Sequence, residues 1–204
     1  MTTFFLIRHA SCNGLGHTLW GRTPGVCLND KGKLQAQRLA YRFTGITLRA
    51  IYSSPLERAV ETAETIARTM NLEVVKSRAF EEINFGDWTG KSFETLSSDD
   101  WWRSFNTHRS ATRIPGGESF LEVQNRIVRE LKELSSQYGS ASVAIVSHAD
   151  VIKAALGYFS ATPIDMLDRI EISPCSVSAV AIEGDYARLL TINNRCELNQ
   201  LWAD

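Results

Sequence analysis

Short apolar runs alternate with longer stretches of helical periodicity along most of this chain. Residues 4–7 (Phe-Phe-Leu-Ile), 49–52, 73–75 and 142–146 are brief and mostly apolar, which predicts buried strands. Residues 32–43 carry Leu34, Ala36 and Leu39 at helical spacing, and residues 56–70 place Ala59, Ala63, Ile66 and Ala67 on one face. The clearest repeat lies in 117–138, where Phe120, Val123, Ile127, Leu131 and Leu134 recur at steps of three or four. A further helix is expected over 149–159. Alternating strands and helices of this kind predict an α/β three-layer sandwich around a mostly parallel sheet. After residue 170 the pattern changes. Residues 170–172, 177–182 and 188–192 read as strands, and Glu183-Gly184-Asp185 is too short a link for anything but antiparallel pairing. The sheet should therefore have an antiparallel edge. Residues from about 84 to 118 lack periodicity, hold Trp88, Trp101 and Trp102, and end in Pro115-Gly116-Gly117. They read as an irregular insertion over the sheet within a single domain spanning 1–204.

Composition narrows the partners more than the fold. The 204 residues are 44% hydrophobic and 22% charged with a formal net charge of −1, ordinary for a soluble globular chain. With no broad field, nucleic acid and anionic membranes are not expected partners, and any anion must be held by a local cluster of Arg and His. Cys12, Cys27, Cys175 and Cys196 show no metal-ligand spacing, so free thiols in a reducing compartment are the better reading. Cys12 is close enough to His9 in sequence to line a site there, or simply to pack. No signal-peptide pattern opens the chain, and no apolar run approaches the ~18 residues of a membrane span. A cytoplasmic location is the expectation.

Candidate chemistry collects at strand ends. The first apolar run stops at Arg8-His9-Ala10, and the run 142–146 stops at Ser147-His148-Ala149. Open α/β sheets place their ligand at the carboxyl ends of strands. A histidine there can be a nucleophile, and an arginine can grip an anion bidentately. The third expected strand end runs into Ser53-Ser54-Pro55-Leu56-Glu57-Arg58, which puts Arg58 in the first turn of a helix, where an anion is favoured. By itself Arg58 reads equally as a solvated surface residue. Glu81 and Glu82 lie among Phe80, Ile83, Phe85 and Trp88. A carboxyl in such surroundings acquires a raised pKa suited to a general acid, although two exposed glutamates beside a core Phe and Ile fit the same pattern.

Taken together, Arg8-His9, Ser54-Pro55-Leu56-Glu57-Arg58-Ala59, the segment from Glu82 through Gly86 and Trp88 to Gly90, and Ser147-His148 resemble, in order, the motifs of the histidine phosphatase superfamily, the phosphoglycerate-mutase-like proteins. The resemblance implies a phosphomonoester phosphatase without a cofactor, acting on a small phosphorylated metabolite, with no metal required because cationic side chains do the neutralising. In that reading His9 attacks phosphorus and becomes phosphohistidine, Arg8, Arg58 and His148 surround the phosphoryl oxygens, a cationic His148 fitting the picture, and Glu82 serves as the acid. Arg22, Thr23 and Ala149 are the implied substrate contacts, and Trp101 and Trp102 are candidates for a wall that selects the leaving group. Ala10 and Ala149 stand where the family usually has Gly. Asn13 lies four residues past His9 rather than six, so a phosphate contact from it is not implied. Asp150 follows His148 at one residue's remove, which favours Glu82 as the acid. Glu118 reads as a helix N-terminal acid or a second carboxylate in the pocket, and His17 and His108 as surface residues. A phosphoglycerate mutase and a catalytically silent phosphate-binding module are the alternatives.

Overall fold

Phe4 and Leu6 pack on one face of β1 (Thr2–Arg8), Phe5 and Ile7 on the other, and all four are fully buried. The first strand is thus central, covered on both sides. In this computed structural model, which describes residues 1–196, it sits in a six-stranded sheet of order β3-β2-β4-β1-β5-β6. The end of the expected 1–204 range lies outside the described residues. The other strands are β2 (Ala50–Ser53), β3 (Val74–Lys76), β4 (Ser142–Ser147), β5 (Val177–Glu183) and β6 (Tyr186–Asn194). β1, β2, β3 and β4 pair in parallel, and β5 and β6 add the antiparallel edge.

Two apolar layers make the sandwich. Helices α1 (Asp30–Arg42) and α2 (Glu57–Met70) bury Ala36, Leu39, Ala59, Ala63 and Ile66 against the Phe5 and Ile7 face. Across the sheet, α5 (Phe120–Tyr138) and α6 (Ala149–Phe159) bury Val123, Ile127, Leu131, Val151 and Ile152 against Phe4, Leu6, Val143 and Ile145. α1 and α5 start at side-chain caps. Asn29 accepts the Gly32 amide at 2.8 Å and starts α1. Ser119 and Glu122 form a reciprocal capping box that starts α5 at 120 rather than 117.

Three expectations are corrected. Leu34 is 57% exposed, because it lies some 200° around α1 from Ala36 and away from the stripe made by Ala36, Leu39 and Ala40. Residues 170–172 form no strand. Ile172 is buried beside the sheet, and its carbonyl accepts from Arg8 Nη1 at 2.6 Å instead of joining a ladder. The 84–118 segment is not irregular throughout. It contains α3 (Phe93–Ser97) and α4 (Asp100–Thr107), capped by Ser92 and Asp99, and it buries Phe85, Trp88, Leu96, Phe105 and Ile114 in the same core as α5 and α6. Its two ends meet. The Asp87 amide donates to the Pro115 carbonyl, and the Glu118 amide to the Asn84 carbonyl, both at 3.0 Å. Gly86 and Gly117 permit this approach, since a Cβ at either would fall 2.0 Å from the Pro115 oxygen or 2.2 Å from the Asn84 oxygen. Among the described residues, no helix is long and apolar enough to cross a membrane.

A second close approach generates a stability prediction. Gly32 in α1 lies under the loop that follows β1, and a Cβ there would sit 1.9 Å from the Ser11 carbonyl oxygen. Helix propensity favours Ala over Gly by about 1 kcal/mol, but overpacking against backbone costs about 1–3 kcal/mol. Gly32→Ala should therefore lower Tm by several degrees in a thermal melt. An unchanged or raised Tm would show that the loop gives way freely.

Candidate active site

Parallel pairing of β1 with β4 and of β4 with β2 aligns three strand ends, with Arg8 beside Ser147 and Val146 beside Ser53. The chain leaves β1 toward α1 on one face and leaves β4 toward α6 on the other. Adjacent strands whose connections depart to opposite faces open a crevice between them, the usual ligand site of such sheets. His9 and His148 are the first residues beyond those two strands, and their rings lie 5.1 Å apart. The His9 amide donates to the Ser147 carbonyl, and the Ser54 amide to the Val146 carbonyl, both at 2.9 Å, so the three turns are laced together.

His9 is 4% exposed. Its Nδ1–H donates to the Ala10 carbonyl at 2.7 Å, which selects one tautomer and leaves the Nε2 lone pair free. Burial, then Arg58 and Arg8, hold its pKa well below the usual imidazole value, so the ring is neutral at neutral pH. The Ala10 amide in turn donates to Thr62 Oγ1 at 3.1 Å, and Thr62 donates to the Arg58 carbonyl at 2.7 Å. The loop that carries His9 is thereby tied to α2.

His148 is fully buried, with Nε2 2.8 Å from Ser54 Oγ and Nδ1 3.4 Å from Arg58 Nη2. Since the guanidinium can only donate, Nδ1 is the acceptor and Nε2–H donates to Ser54. Burial first, then Arg58, His9, Arg126 and Arg8, push its pKa well below the ordinary value. The expectation of a cationic His148 is thus corrected: burial, with the positive charge around it, holds the ring neutral.

Both arginines are held by carbonyls. Arg58, 2% exposed, donates through Nη2 to the Gly21 carbonyl at 2.7 Å, and its buried Nη1 has no partner. Arg8 donates through Nη1 to Ile172, and its buried Nε is also unpartnered. Burial lowers the Arg58 pKa, while Glu82 raises it. Orphaned guanidinium donors in a buried site are costly unless an anion meets them, and phosphoryl oxygens suit them.

Glu82 lies against His148 at the edge of the same site. Its side chain is 15% exposed, Oε1 accepts the Ile83 amide at 2.9 Å, and Oε2 lies 3.6 Å from His148 Nδ1. Burial, reinforced by Asp150 and opposed by Arg58, raises its pKa to about 7. Asp150 pairs with Arg109 at 3.0 Å, and the Arg109 guanidinium lies over the rings of Phe105 and Phe120. This pair was not legible in the sequence: Arg109 comes from the end of the insertion, and nothing local announces its partner.

The strand ends surround a cavity of about 190 Å³. Arg8, His9, Arg58, Glu82, Ala149 and Asp150 line it, with Leu19, Trp20, Phe85 and Phe93 as apolar wall and Cys12 at its side. Arg22 and Thr23 do not line it. Arg22 is bound instead to the Glu82 carbonyl and to Glu118. Glu118 precedes the Ser119 cap and accepts the Asn84 amide, so it is neither a pocket carboxylate nor a cap. Trp101 is 54% exposed, and Trp102 packs behind Phe93 and Trp88, so the aromatic wall is made by their neighbours. Asn13, His17 and His108 are exposed. Among the described residues, no cluster of His, Cys, Asp and Glu is arranged to hold a metal ion.

Comparison with known proteins agrees with this geometry. The chain is 29% identical to phosphoserine phosphatase 1 of Hydrogenobacter thermophilus over 212 aligned positions, covering 100% of this chain and 98% of the relative. Bacillus stearothermophilus YhfR superposes with a TM-score of 0.90 at 26% identity, over 97% of this chain and 99% of that one. A phosphoserine phosphatase from Entamoeba histolytica, solved in complex with phosphoserine, superposes with a TM-score of 0.85 at 27% identity, over 97% and 100%. A model of the histidine phosphatase superfamily (branch 1) matches residues 4–195. With two buried histidines at the ends of adjacent strands and that match over nearly its whole length, the chain belongs to the histidine phosphatase superfamily.

Proposed function

We propose that this enzyme hydrolyses a small phosphomonoester through a phosphohistidine on His9. One observation carries the reading: a buried, neutral His9 with its tautomer fixed, beside two arginines whose buried donors lack partners. In the first step His9 Nε2 forms a bond to phosphorus as the bond to the leaving oxygen breaks. Glu82 gives that oxygen its proton. In the second step the Glu82 carboxylate takes a proton from water, the water oxygen bonds to phosphorus, and the P–N bond breaks to restore His9. Arg8, Arg58 and His148 neutralise charge on the equatorial oxygens throughout, so positioning and electrostatics supply the catalysis. Phosphate dianion beside His148 favours its charged form, so substrate binding raises a pKa that burial and the neighbouring arginines hold low.

A cavity of about 190 Å³ is smaller than the ~300–1,000 Å³ typical of drug-sized ligands and suits a compact leaving group. The relatives named for phosphoserine make O-phosphoserine the first candidate, with sugar phosphates, a ribazole phosphate and 3-phosphoglycerate beside it. The proposed setting is the cytoplasm, where the four free thiols stay reduced. A screen of these phosphates with a His9→Ala control tests the reading. Isomerisation of 3-phosphoglycerate without phosphate release would turn it into a mutase, and no turnover of any aryl or alkyl phosphate would leave a binding module.

Rapid quench with labelled substrate should place an acid-labile, base-stable phosphoryl group on His9. Robust turnover with label elsewhere would exclude the proposed intermediate. Arg58→Ala should lower kcat/KM about a hundredfold, equivalent to roughly 3 kcal/mol, and Arg58→Lys should recover only part of this because lysine lacks the fork. A variant with near-normal kcat/KM would remove Arg58 from the reaction.

The two titrating groups fix the pH profile. His9 must be neutral and Glu82 protonated. The acidic limb of kcat/KM on an alkyl phosphate should therefore fall below the usual imidazole value of 6.5, and the alkaline limb near 7. Glu82→Gln should slow the alkyl phosphate severely, remove the alkaline limb, and spare para-nitrophenyl phosphate, whose leaving group departs without a proton. Transfer of that leaving-group dependence to Glu81→Gln, Glu118→Gln or Asp150→Asn would reassign the acid.

A further inference from the structure

Behind the proposed acid, outside the cavity, two arginines and a glutamate grip the backbone that carries it. Arg22 Nε donates to the Glu82 carbonyl at 2.8 Å, and its Nη2 to Glu118 Oε2 at 3.0 Å. Arg126, reaching from α5, donates through Nη1 to the Ala79 carbonyl at 2.7 Å, while its Nη2 lies 3.3 Å from the Glu82 carbonyl. Glu118 Oε2 also accepts the Asn84 amide at 2.9 Å, and Glu81 lies 3.5 Å from Arg22 Nε on the outer side. Three backbone groups within 79–84 are thereby fixed from one side.

Charge balance separates this cluster from the catalytic arginines. Arg22 and Arg126 face Glu81 and Glu118, two cations against two anions, so little is left over to attract a phosphate. Their shared target is a neutral carbonyl, that of Glu82. The carboxyl of Glu82 is in turn tied through Oε1 to the next amide of the same backbone. Whatever holds residues 82–84 therefore sets where the carboxyl sits in the cavity.

We infer that Arg22, Glu118 and Arg126 form a positioning unit that pins the Glu82 backbone against α5 and so aims its carboxyl at the leaving oxygen. The inference rests on the reading of Glu82 as the acid. Arginine is required at 22 because one planar fork spans both the Glu82 carbonyl and the Glu118 carboxylate; lysine keeps the charge and loses the span.

Arg22→Lys, Glu118→Gln and Glu82→Gln, assayed together, test it. The substrates are para-nitrophenyl phosphate and the alkyl phosphate turned over fastest in the screen above, with thermal melts alongside. A displaced proton donor costs on the order of ten- to a hundredfold in rate. Arg22→Lys and Glu118→Gln should lower kcat on the alkyl phosphate by that much at unchanged KM, and on the aryl phosphate by less than about threefold. The alkaline limb should also move to lower pH as water reaches the Glu82 carboxyl. The groups facing it, Arg8 from β1, Arg58 from α2, Arg126 from α5, and His148 and Asp150 at the start of α6, are unaltered in these variants. Equal losses on both substrates, a rise in KM alone, or wild-type behaviour would overturn the inference. If Glu82→Gln shows leaving-group dependence and the other two do not, the positioning unit is wrong and the acid stands. If Glu82→Gln shows none, both fall together. Should Glu118→Gln fail to fold, Arg22→Lys at its half-buried position carries the same readout.

Discussion

The site depends on concentrated positive charge held in place without being neutralised. Arg8, Arg58 and His9 are anchored by the carbonyls of Ile172, Gly21 and Ala10, which fix orientation and carry no net charge. A carboxylate in any of those positions would hold the side chain as well and would cancel the field that phosphate needs. Burial, reinforced by this uncancelled field, keeps both imidazoles neutral. The field also explains why the remaining acidic group must be mostly buried: a fully ionised, freely solvated Glu82 would pair with Arg58 and compete with substrate. Burial raises its pKa, so much of it carries a proton at neutral pH.

Carbonyls can do this because the fold presents them at one spot. The parallel pairing of β1, β4 and β2 stops three strands at the same level, and the opposite departures of α1 and α6 leave a gap between two of them. The antiparallel edge contributes as well. The segment leading into β5 runs back past the end of β1, which brings the Ile172 carbonyl to Arg8. Without that return Arg8 would have no anchor on its outer side.

Much of this was legible from local pattern. The strands, the four long helices and the two histidine-bearing strand ends follow from runs and periods that each lie within one continuous stretch of the chain. The errors share a cause. Leu34 is apolar and helical but on the wrong side of α1, and only the position of the sheet decides that. Residues 170–172 have strand composition, yet the Ile172 carbonyl is taken by the Arg8 guanidinium, a partner far away in sequence, and joins no ladder. α3 and α4 are five and eight residues long, too short for periodicity to show, and are announced only by Ser92 and Asp99. The family resemblance implies Arg22 as a substrate contact, but its side chain turns away from the cavity. Its true partners, Glu82 and Glu118, are 60 and 96 residues away. The Arg109–Asp150 pair is hidden for the same reason.

The meeting of Asn84 and Gly86 with Pro115 and Glu118 has a consequence for how such a chain can change. Because the segment between them leaves and re-enters at a single point, it is a loop already closed by its own base. The entropy of closing a loop grows only with the logarithm of its length. Residues can be added to or removed from the interior, reshaping the Phe93 side of the cavity, while the base and Glu82 beside it keep their places. The strand-end residues and the outer wall of the cavity are thus housed in parts of the chain that can vary separately.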